Sequence, residues 1–107
     1  MNQFEQELKN NNFVCSSCLK CNKLVWPPSD FCNLCFGDVV WKKVARNATL
    51  IEFSRDANEV FCIAEFEGGI RIMGSIKNSS DLKVGQSLTL VRCNYDGKEE
   101  FVLEPVM

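Results

Sequence analysis

The sequence predicts a mainly β protein in which a short N-terminal helix and a cysteine-rich ribbon precede a small five-stranded barrel. Five of the seven cysteines lie before residue 44, in a segment where no helical or strand period is sustained. The chain after Ala48 consists of short runs rich in β-forming residues, separated by turn residues. Since 107 residues allow one ordinary domain or two very small ones, we expect three segments: a helical lead-in at 1–12, a ribbon at 13–44 and a barrel at 45–107.

The lead-in carries Phe4 and Leu8, which are four residues apart and therefore share one face of a helix. Three asparagines, residues 10–12, end the pattern. A helix of about ten residues is marginal in water, so it must pack against something. The pattern leaves two possibilities open. Phe4 and Leu8 either pack against their own domain or form a docking surface for a partner.

The ribbon is predicted from two Cys-x-x-Cys pairs separated by ten residues, Cys18 with Cys21 and Cys32 with Cys35. Two intervening residues allow both sulfurs of a tight turn to face one point, and two such turns supply four thiolates in a tetrahedral arrangement. Zinc is the metal most often bound by such a set, so we expect one structural zinc ion. Disulfides are disfavoured because nothing in the composition indicates secretion.

Cys15 competes with Cys21 for this role because Cys15 and Cys18 also form a Cys-x-x-Cys pair. The residue after the second cysteine of such a turn tends to need a positive φ, which Asn tolerates and Leu does not. Asn22 follows Cys21 whereas Leu19 follows Cys18, so we assign Cys18 and Cys21 as ligands and leave Cys15 as a spare thiol. The last two cysteines, Cys62 and Cys93, lie in apolar strand patterns and are predicted to be core residues.

The barrel is predicted from five runs with high β propensity and from their spacing. Gly68-Gly69 and Asp96-Gly97 are signals for two-residue hairpins, and a longer connection follows the third run. This pattern favours a barrel of the OB type. We expect residues 78–82 of the long connection to form a loop or a single turn. The predicted strands are Thr49–Ser54, Val60–Glu67, Ile70–Ile76, Ser87–Asn94 and Glu100–Glu104.

Composition excludes several function classes. The chain contains no histidine, so it cannot supply a Ser-His-Asp triad or a Cys-His pair, and we predict no catalytic residues. No apolar run reaches the roughly 20 residues of a membrane span. The polar start, with Glu5 and Glu7, resembles neither a signal peptide nor a transit peptide. These features predict a cytoplasmic protein that does not bind membranes.

Two other functions fit a metal ribbon joined to an OB barrel. The first is binding of single-stranded nucleic acid, but 12 Lys and Arg are opposed by 14 Asp and Glu, and Phe53, Phe61, Phe66 and Phe101 fall in apolar runs that indicate core positions. We therefore expect no nucleic-acid partner. The second is electron transfer by iron in a rubredoxin-like cage, for which the barrel would have no use.

The cysteine and barrel motifs together resemble the zinc-ribbon/OB-fold family of acyl-CoA-associated proteins, the domain of unknown function thirty-five. The resemblance extends from Phe13 to Pro105. Asn22, Ser29 and Asn33 stand where the family often has Gly, Arg and Pro. The motifs that carry it are Cys18-x-x-Cys21-x5-Pro27-Pro28-x3-Cys32-x-x-Cys35, Trp41, the run from Ile63 to Ile76, and Leu82-Lys83-Val84-Gly85.

This resemblance implies a non-catalytic scaffold that binds a thiolase such as acetyl-CoA acetyltransferase. In archaeal members the scaffold is understood to bridge acetoacetyl-CoA thiolase and hydroxymethylglutaryl-CoA synthase at the head of the mevalonate pathway, and the barrel helps to form a shared acyl-CoA channel. A coenzyme A ligand would need cations for its phosphates. Arg46, Arg71 and Lys77 are the candidate cations, and Phe4 and Leu8 are the candidate docking residues.

Overall fold

The N-terminal part of the chain folds into one helix and a three-stranded antiparallel sheet. The computed structural model describes residues 3–77 and 81–106. Helix α1 (Gln3–Lys9) precedes strands β1 (Val14–Cys18), β2 (Leu24–Val25) and β3 (Val39–Lys43). Strand β1 is central, with the order β2-β1-β3. The first cysteine pair therefore forms the turn between β1 and β2, and the second pair lies in the long connection to β3.

The C-terminal part is a closed five-stranded barrel with the order β4-β5-β6-β8-β7. Strands β6 and β8 run parallel and pair only through Ser75 with Val102 and Ile76 with Leu103, while the other neighbours are antiparallel. This order is that of an OB barrel and confirms the predicted fold class. The strands are β4 (Asn47–Asp56), β5 (Glu59–Glu65), β6 (Arg71–Ile76), β7 (Ser87–Tyr95) and β8 (Glu99–Pro105).

The two short barrel turns differ in detail from the prediction. The chain between β5 and β6 is not a two-residue hairpin: Glu67–Gly69 form a 3₁₀ turn, and the N–H of Phe66 donates to the carbonyl of Ile70. Three residues, 96–98, join β7 to β8, with Gly97 at φ 74°. In the third connection, residues 78–80 lie outside the described part of the chain, and 81–86 contain no helix.

The main core fills the barrel and extends to the helix and the first strand. Leu8 is fully buried in it, together with Phe13 and Cys15. Phe4 packs on its edge, with its ring centroid 5.4 Å from that of Trp26. Of the two possibilities for the helix, the structure therefore shows packing against the chain itself. Leu8 offers no free surface to a partner, because its side chain is inside the core.

The predicted aromatic core residues of the barrel divide into two groups. Phe66 and Phe101 are buried, and Phe53 is half-buried against the core. Phe61 is exposed on β5, which corrects its assignment to the core. On this strand Val60, Cys62 and Ala64 take the inward positions, so the period of two places Phe61 on the outer face.

The ribbon and the barrel are joined by contacts around the 3₁₀ turn. The carboxylate of Glu67 accepts a hydrogen bond from the backbone N–H of Ala45 (2.6 Å) and pairs with the ammonium of Lys42 (3.1 Å). Gly68 lies against the side chain of Leu24 on β2. These contacts fix the direction in which the ribbon leaves the barrel.

Candidate metal centre and barrel groove

The four predicted metal ligands lie together at the tip of the ribbon. The sulfurs of Cys18, Cys21, Cys32 and Cys35 are all within 4.8 Å of one another, and those of Cys18 and Cys35 are 3.5 Å apart. Cys18 and Cys32 are buried, whereas Cys21 and Cys35 are half-buried. The cluster therefore has one side open to solvent and one side facing the small ribbon core.

The two cysteine turns repeat the same backbone geometry. In the first turn, the N–H of Cys18 donates to Lys23 O, and that of Asn22 to Cys18 O; in the second, Cys32 donates to Gly37 O, and Phe36 to Cys32 O. Asn22 and Phe36 occupy the same position and have φ values of 56° and 57°. The positive φ expected after Cys21 is thus present, and Phe36 adopts it although it has a bulky side chain.

Nearby donors and sulfurs move the pKa values of this cluster in opposite directions. The backbone N–H of Cys21 donates to the Cys18 sulfur (3.3 Å) and is the main cause that lowers the pKa of Cys18 to about 7. The pKa of Cys21 is raised to about 12, first because its thiol hydrogen-bonds to Cys35 and then because burial disfavours its charged form. Four thiolates this close repel one another, so a divalent cation is needed to hold all four deprotonated.

The donor set fits a four-coordinate thiolate-bound ion. A tetrahedral metal with bonds to sulfur of ~2.3 Å separates neighbouring sulfurs by ~3.8 Å. The sulfurs of Cys18 and Cys35, 3.5 Å apart in a cluster no wider than 4.8 Å, are within a small adjustment of that arrangement. Four protein ligands fill the coordination shell, so the site has no open position for a substrate.

The other three cysteines are separate from this cluster. Cys15, Cys62 and Cys93 are buried in the main core. Burial raises the pKa of each thiol, and that of Cys62 reaches about 11. Neutral thiols without access to water are poor nucleophiles and poor metal ligands. Cys62 and Cys93 thus occupy the core positions predicted from the sequence, and Cys15 joins them.

A second candidate site is a groove of about 780 Å³ beside the seam between β6 and β8, which we call the seam groove. Parallel pairing of these strands begins at Ser75 and Val102, so the strands are not hydrogen-bonded to each other before those residues. Arg71 and Lys77, two of the three cations predicted for coenzyme A, line the groove. Its apolar lining includes Phe4, Trp26, Pro27, Ile72, Met73 and Phe101.

The third predicted cation, Arg46, lies elsewhere. Its guanidinium donates a hydrogen bond to the carbonyl of Asn11, and the Asn11 side chain in turn accepts one from the N–H of Cys93 (2.9 Å). These bonds join the end of the helical lead-in to β7. Arg46 is not among the residues that line the seam groove, so the structure brings only Arg71 and Lys77 together.

Sequence reasoning missed two further cations of the groove, Arg92 and Lys98. A β-bulge between Leu90 and Arg92 shifts the register of β7 against β8. Leu88, Leu90 and Cys93 are buried while Val91 and Arg92 are exposed, so simple alternation does not place Arg92 correctly. Lys98 lies in the turn before β8, and only the barrel topology brings it near Arg71.

Comparison with known proteins gives matches of fold. No family model and no curated protein matches the sequence. The fold is similar to that of a chain of the Ltp2-ChsH2(DUF35) aldolase, with a TM-score of 0.78 and 17% identity over 100% of this chain and 98% of that one. It is also similar to a DUF35-family protein of unknown function from Sulfolobus solfataricus, with a TM-score of 0.67 and 16% identity over 94% and 82% of the two chains.

Among the described residues, no helix is long and apolar enough to cross a membrane.

Both of these solved structures carry the DUF35 designation, and the first aligns along the whole of this chain. The chain thus has the fold of DUF35-family proteins, the family that its cysteine and barrel motifs resemble.

Proposed function

We propose that this protein is a non-catalytic accessory subunit that binds a thiolase-type enzyme and contributes to the passage of an acyl-CoA. The observation that carries the proposal is the full-length match of its fold to a DUF35 chain that is named together with Ltp2 as one aldolase. A fold seen as one component of such an enzyme is well suited to an accessory role. The thiolase type of the partner comes from the resemblance of the motifs.

The chemistry of the chain supports a role without turnover of its own. There is no histidine. The clustered thiols are arranged to share a metal, and the remaining cysteines are buried. Glu65 and Glu67, two carboxylates close together on the barrel, are paired with Arg71 and Lys42. Among the described residues, none of these groups forms a nucleophile–base pair.

The metal in this proposal is one structural zinc ion held by Cys18, Cys21, Cys32 and Cys35. When bound, zinc cross-links the two turns and so supplies the folding energy that the ribbon lacks. The ribbon core contains three buried residues, Cys18, Val25 and Cys32, and two of them are ligands. An ion in this cage stabilises the ribbon without taking part in a reaction.

The acyl-CoA in this proposal uses the seam groove, where Arg71 and Lys77 provide positive charge for its phosphates. For the identity of the two enzymes, the proposal follows the archaeal members of the family. The segments 1–12, 13–44 and 45–107 act as one scaffold that holds the thiolase beside hydroxymethylglutaryl-CoA synthase in the cytoplasm, in the mevalonate pathway. Acetoacetyl-CoA formation is thermodynamically uphill, so direct transfer to a condensing enzyme keeps its concentration low.

Native co-purification tests the partner assignment. The untagged assembly is isolated through the thiolase encoded in the same genome, and its components are identified by mass spectrometry. We expect this chain to be present with the thiolase in a fixed ratio and to show no acyl-CoA turnover when purified alone. A thiolase that never retains the chain, or turnover by the isolated chain, would contradict the proposal.

A further inference from the structure

The seam groove is built from three parts of the chain. Strands β6 and β8 form its floor, Phe4 from the helix lies at one edge, and Trp26 with Pro27 comes from the ribbon. Trp26 is held by edge-on ring contacts, with centroid distances of 5.4 Å to Phe4 and 5.6 Å to Phe13. One wall of a barrel groove therefore belongs to the metal-binding unit.

The position of that wall depends on the cysteine turns. Trp26 and Pro27 lie between Cys21 and Cys32, and Trp26 directly follows β2, which has only two residues. Strand β2 reaches its partner β1 through the turn of Cys18 and Cys21. Without a metal, that hairpin would depend on two strand pairs and a very small core.

The segment between Cys21 and Cys32 is also tied to β1 after Pro28. The Ser16 hydroxyl is buried, donates to the carbonyl of Ser29 (2.9 Å) and accepts from the N–H of Ser29 (3.2 Å). These two bonds fix the chain just after the Pro27-Pro28 pair. The Trp26–Pro27 wall is therefore held by Ser16 and by the main core, on which Trp26 packs, and a metal would add a clamp at the cysteine turns that flank it.

The charges of the groove indicate an anionic ligand. Arg71, Lys77, Arg92 and Lys98 line it, against two carboxylates from Glu99 and Glu100, although the whole chain has a net charge of −2. Arg71 is paired with Glu65 (3.0 Å). Combined with the aromatic wall, this arrangement fits a phosphorylated molecule that carries an apolar arm.

We propose that metal binding at the cysteine cluster strengthens the seam groove: the metal holds the two cysteine turns that flank Trp26 and Pro27, and the groove binds its phosphorylated ligand more tightly in that state. Arg92 and Lys98 bind the phosphates together with Arg71 and Lys77. The identity of the ligand as an acyl-CoA rests on the proposed function. The dependence of the groove on the ribbon rests on the geometry of this chain alone.

The test measures coenzyme A binding to the purified full-length chain by calorimetry, in the zinc-loaded form, after chelation, and in the variant Trp26→Ala. Zinc content is measured for each sample. We expect the chelated form and Trp26→Ala to bind at least tenfold more weakly than the zinc-loaded wild type, with Trp26→Ala keeping its zinc. Arg92→Gln combined with Lys98→Gln should weaken binding to a similar extent.

Trp41→Ala is the matched control, since Trp41 is a ribbon tryptophan on the exposed side of β3 and does not line the groove. It should bind as wild type, and because the chain has two tryptophans it leaves Trp26 as the single tryptophan, which is excited selectively at wavelengths where tyrosine does not absorb. In this variant the fluorescence should change on both zinc removal and coenzyme A addition. A fluorescence change with zinc and none with the ligand would contradict contact between the ligand and this wall.

Three results would overturn the inference. These are equal coenzyme A affinity with and without zinc or with and without Trp26, no coenzyme A binding by the zinc-loaded chain, and tighter binding of a single-stranded oligonucleotide with the same number of phosphates. None of these results would touch the binding of a thiolase, which is measured separately by co-purification. The inference and the proposed function can therefore fail independently.

Discussion

Gly68 on the barrel and Leu24 on the ribbon are in direct contact. A Cβ added to Gly68 would lie 2.8 Å from Cδ1 of Leu24, and Gly68 adopts φ +69°. The position is therefore restricted twice, by its backbone conformation and by the ribbon packed on it. Leu24 lies two residues before Trp26, so this contact also supports the segment that lines the seam groove.

Gly68→Ala should destabilise the protein more than Gly69→Ala. Both glycines have positive φ, which costs about 1–2 kcal/mol for a residue with a Cβ. At Gly69 nothing lies within 4 Å of the added atom, whereas at Gly68 the collision with Leu24 adds about 1–3 kcal/mol. Urea unfolding of the two variants measures the difference. Equal losses would show that the ribbon does not press on the 3₁₀ turn.

Glu67→Gln should weaken the joint between ribbon and barrel in a pH-dependent manner. The N–H of Ala45 and the ammonium of Lys42 lower the pKa of Glu67. A carboxyl group whose pKa is lower in the folded state stabilises the fold fully above its ordinary value of about 4.3, and this stabilisation is lost as pH falls through the folded-state pKa. The stability gap between wild type and variant should therefore be constant from pH 7.5 to pH 5 and shrink below that.

Urea unfolding at each pH measures this gap, with zinc content followed in the same samples because acid also protonates thiolate ligands. Glu65→Gln is the control, since Glu65 pairs with Arg71 within the barrel and makes no bridge to the ribbon. A gap that grows as the pH falls would contradict the assigned role of Glu67.

Cys32→Ser should lose the bound zinc and unfold the ribbon while the barrel keeps its structure. The barrel strands supply most of the main core, whereas the ribbon core depends on its cysteines. Elemental analysis and amide NMR spectra measure the two effects. Cys15→Ala is the control and should keep one zinc per chain, because Cys15 lies in the main core. Full zinc retention by Cys32→Ser, or iron in the purified protein, would refute the assignment.

Ser16→Ala should cost about 0.5–1.5 kcal/mol, because the N–H and the carbonyl of Ser29 lose their partner in a partly buried site. Ser17→Ala, at the next and less buried position of β1, should cost less than about 0.5 kcal/mol. Thermal unfolding of the zinc-loaded variants gives both values. If the two changes cost the same, the hydroxyl of Ser16 does not hold the connection.

Single-stranded nucleic acid should bind weakly at physiological salt. The chain is acidic overall, and an OB barrel that binds single strands combines a basic track with several stacking aromatics. Here Phe61 is the exposed aromatic residue of β5, while Phe66 and Phe101 are inside the core. Fluorescence anisotropy with labelled DNA and RNA tests this. Submicromolar affinity with a steep salt dependence would reverse the preference between the two functions.

The barrel was predictable from the sequence because the β propensity and the turn residues of each run agree with the way in which its strands pair. Each predicted strand is present, and pairing alters its ends by a few residues; β4, for example, extends to Asn47–Asp56. The ribbon strands were not predicted. The sequence of β1, Val-Cys-Ser-Ser-Cys, has little β preference, and it becomes a strand because β2, β3 and the cysteine turns hold it.

The two candidate sites also differ in how well the sequence predicts them. The four clustered cysteines are recognisable because their spacing is itself the geometric requirement, and Asn22 marks the correct pair. The seam groove has no such local signal. Its cations come from β6, the residue after β6, β7 and the turn before β8, and the bulge at Val91 decides that Arg92 faces outward. Arg46 was a candidate because it is a cation at the start of the barrel segment. Its guanidinium instead binds the carbonyl of Asn11, which is 35 residues away in the sequence, and no local pattern indicates that contact.

Size-exclusion chromatography with a coupled-rate assay shows whether this chain joins the two enzymes. The thiolase and hydroxymethylglutaryl-CoA synthase from the same genome are mixed with and without the zinc-loaded chain. We expect the chain to elute with the thiolase, and the two enzymes to form one assembly and to couple faster only when the chain is present. Equal assembly and equal coupled rates without the chain would contradict this expectation.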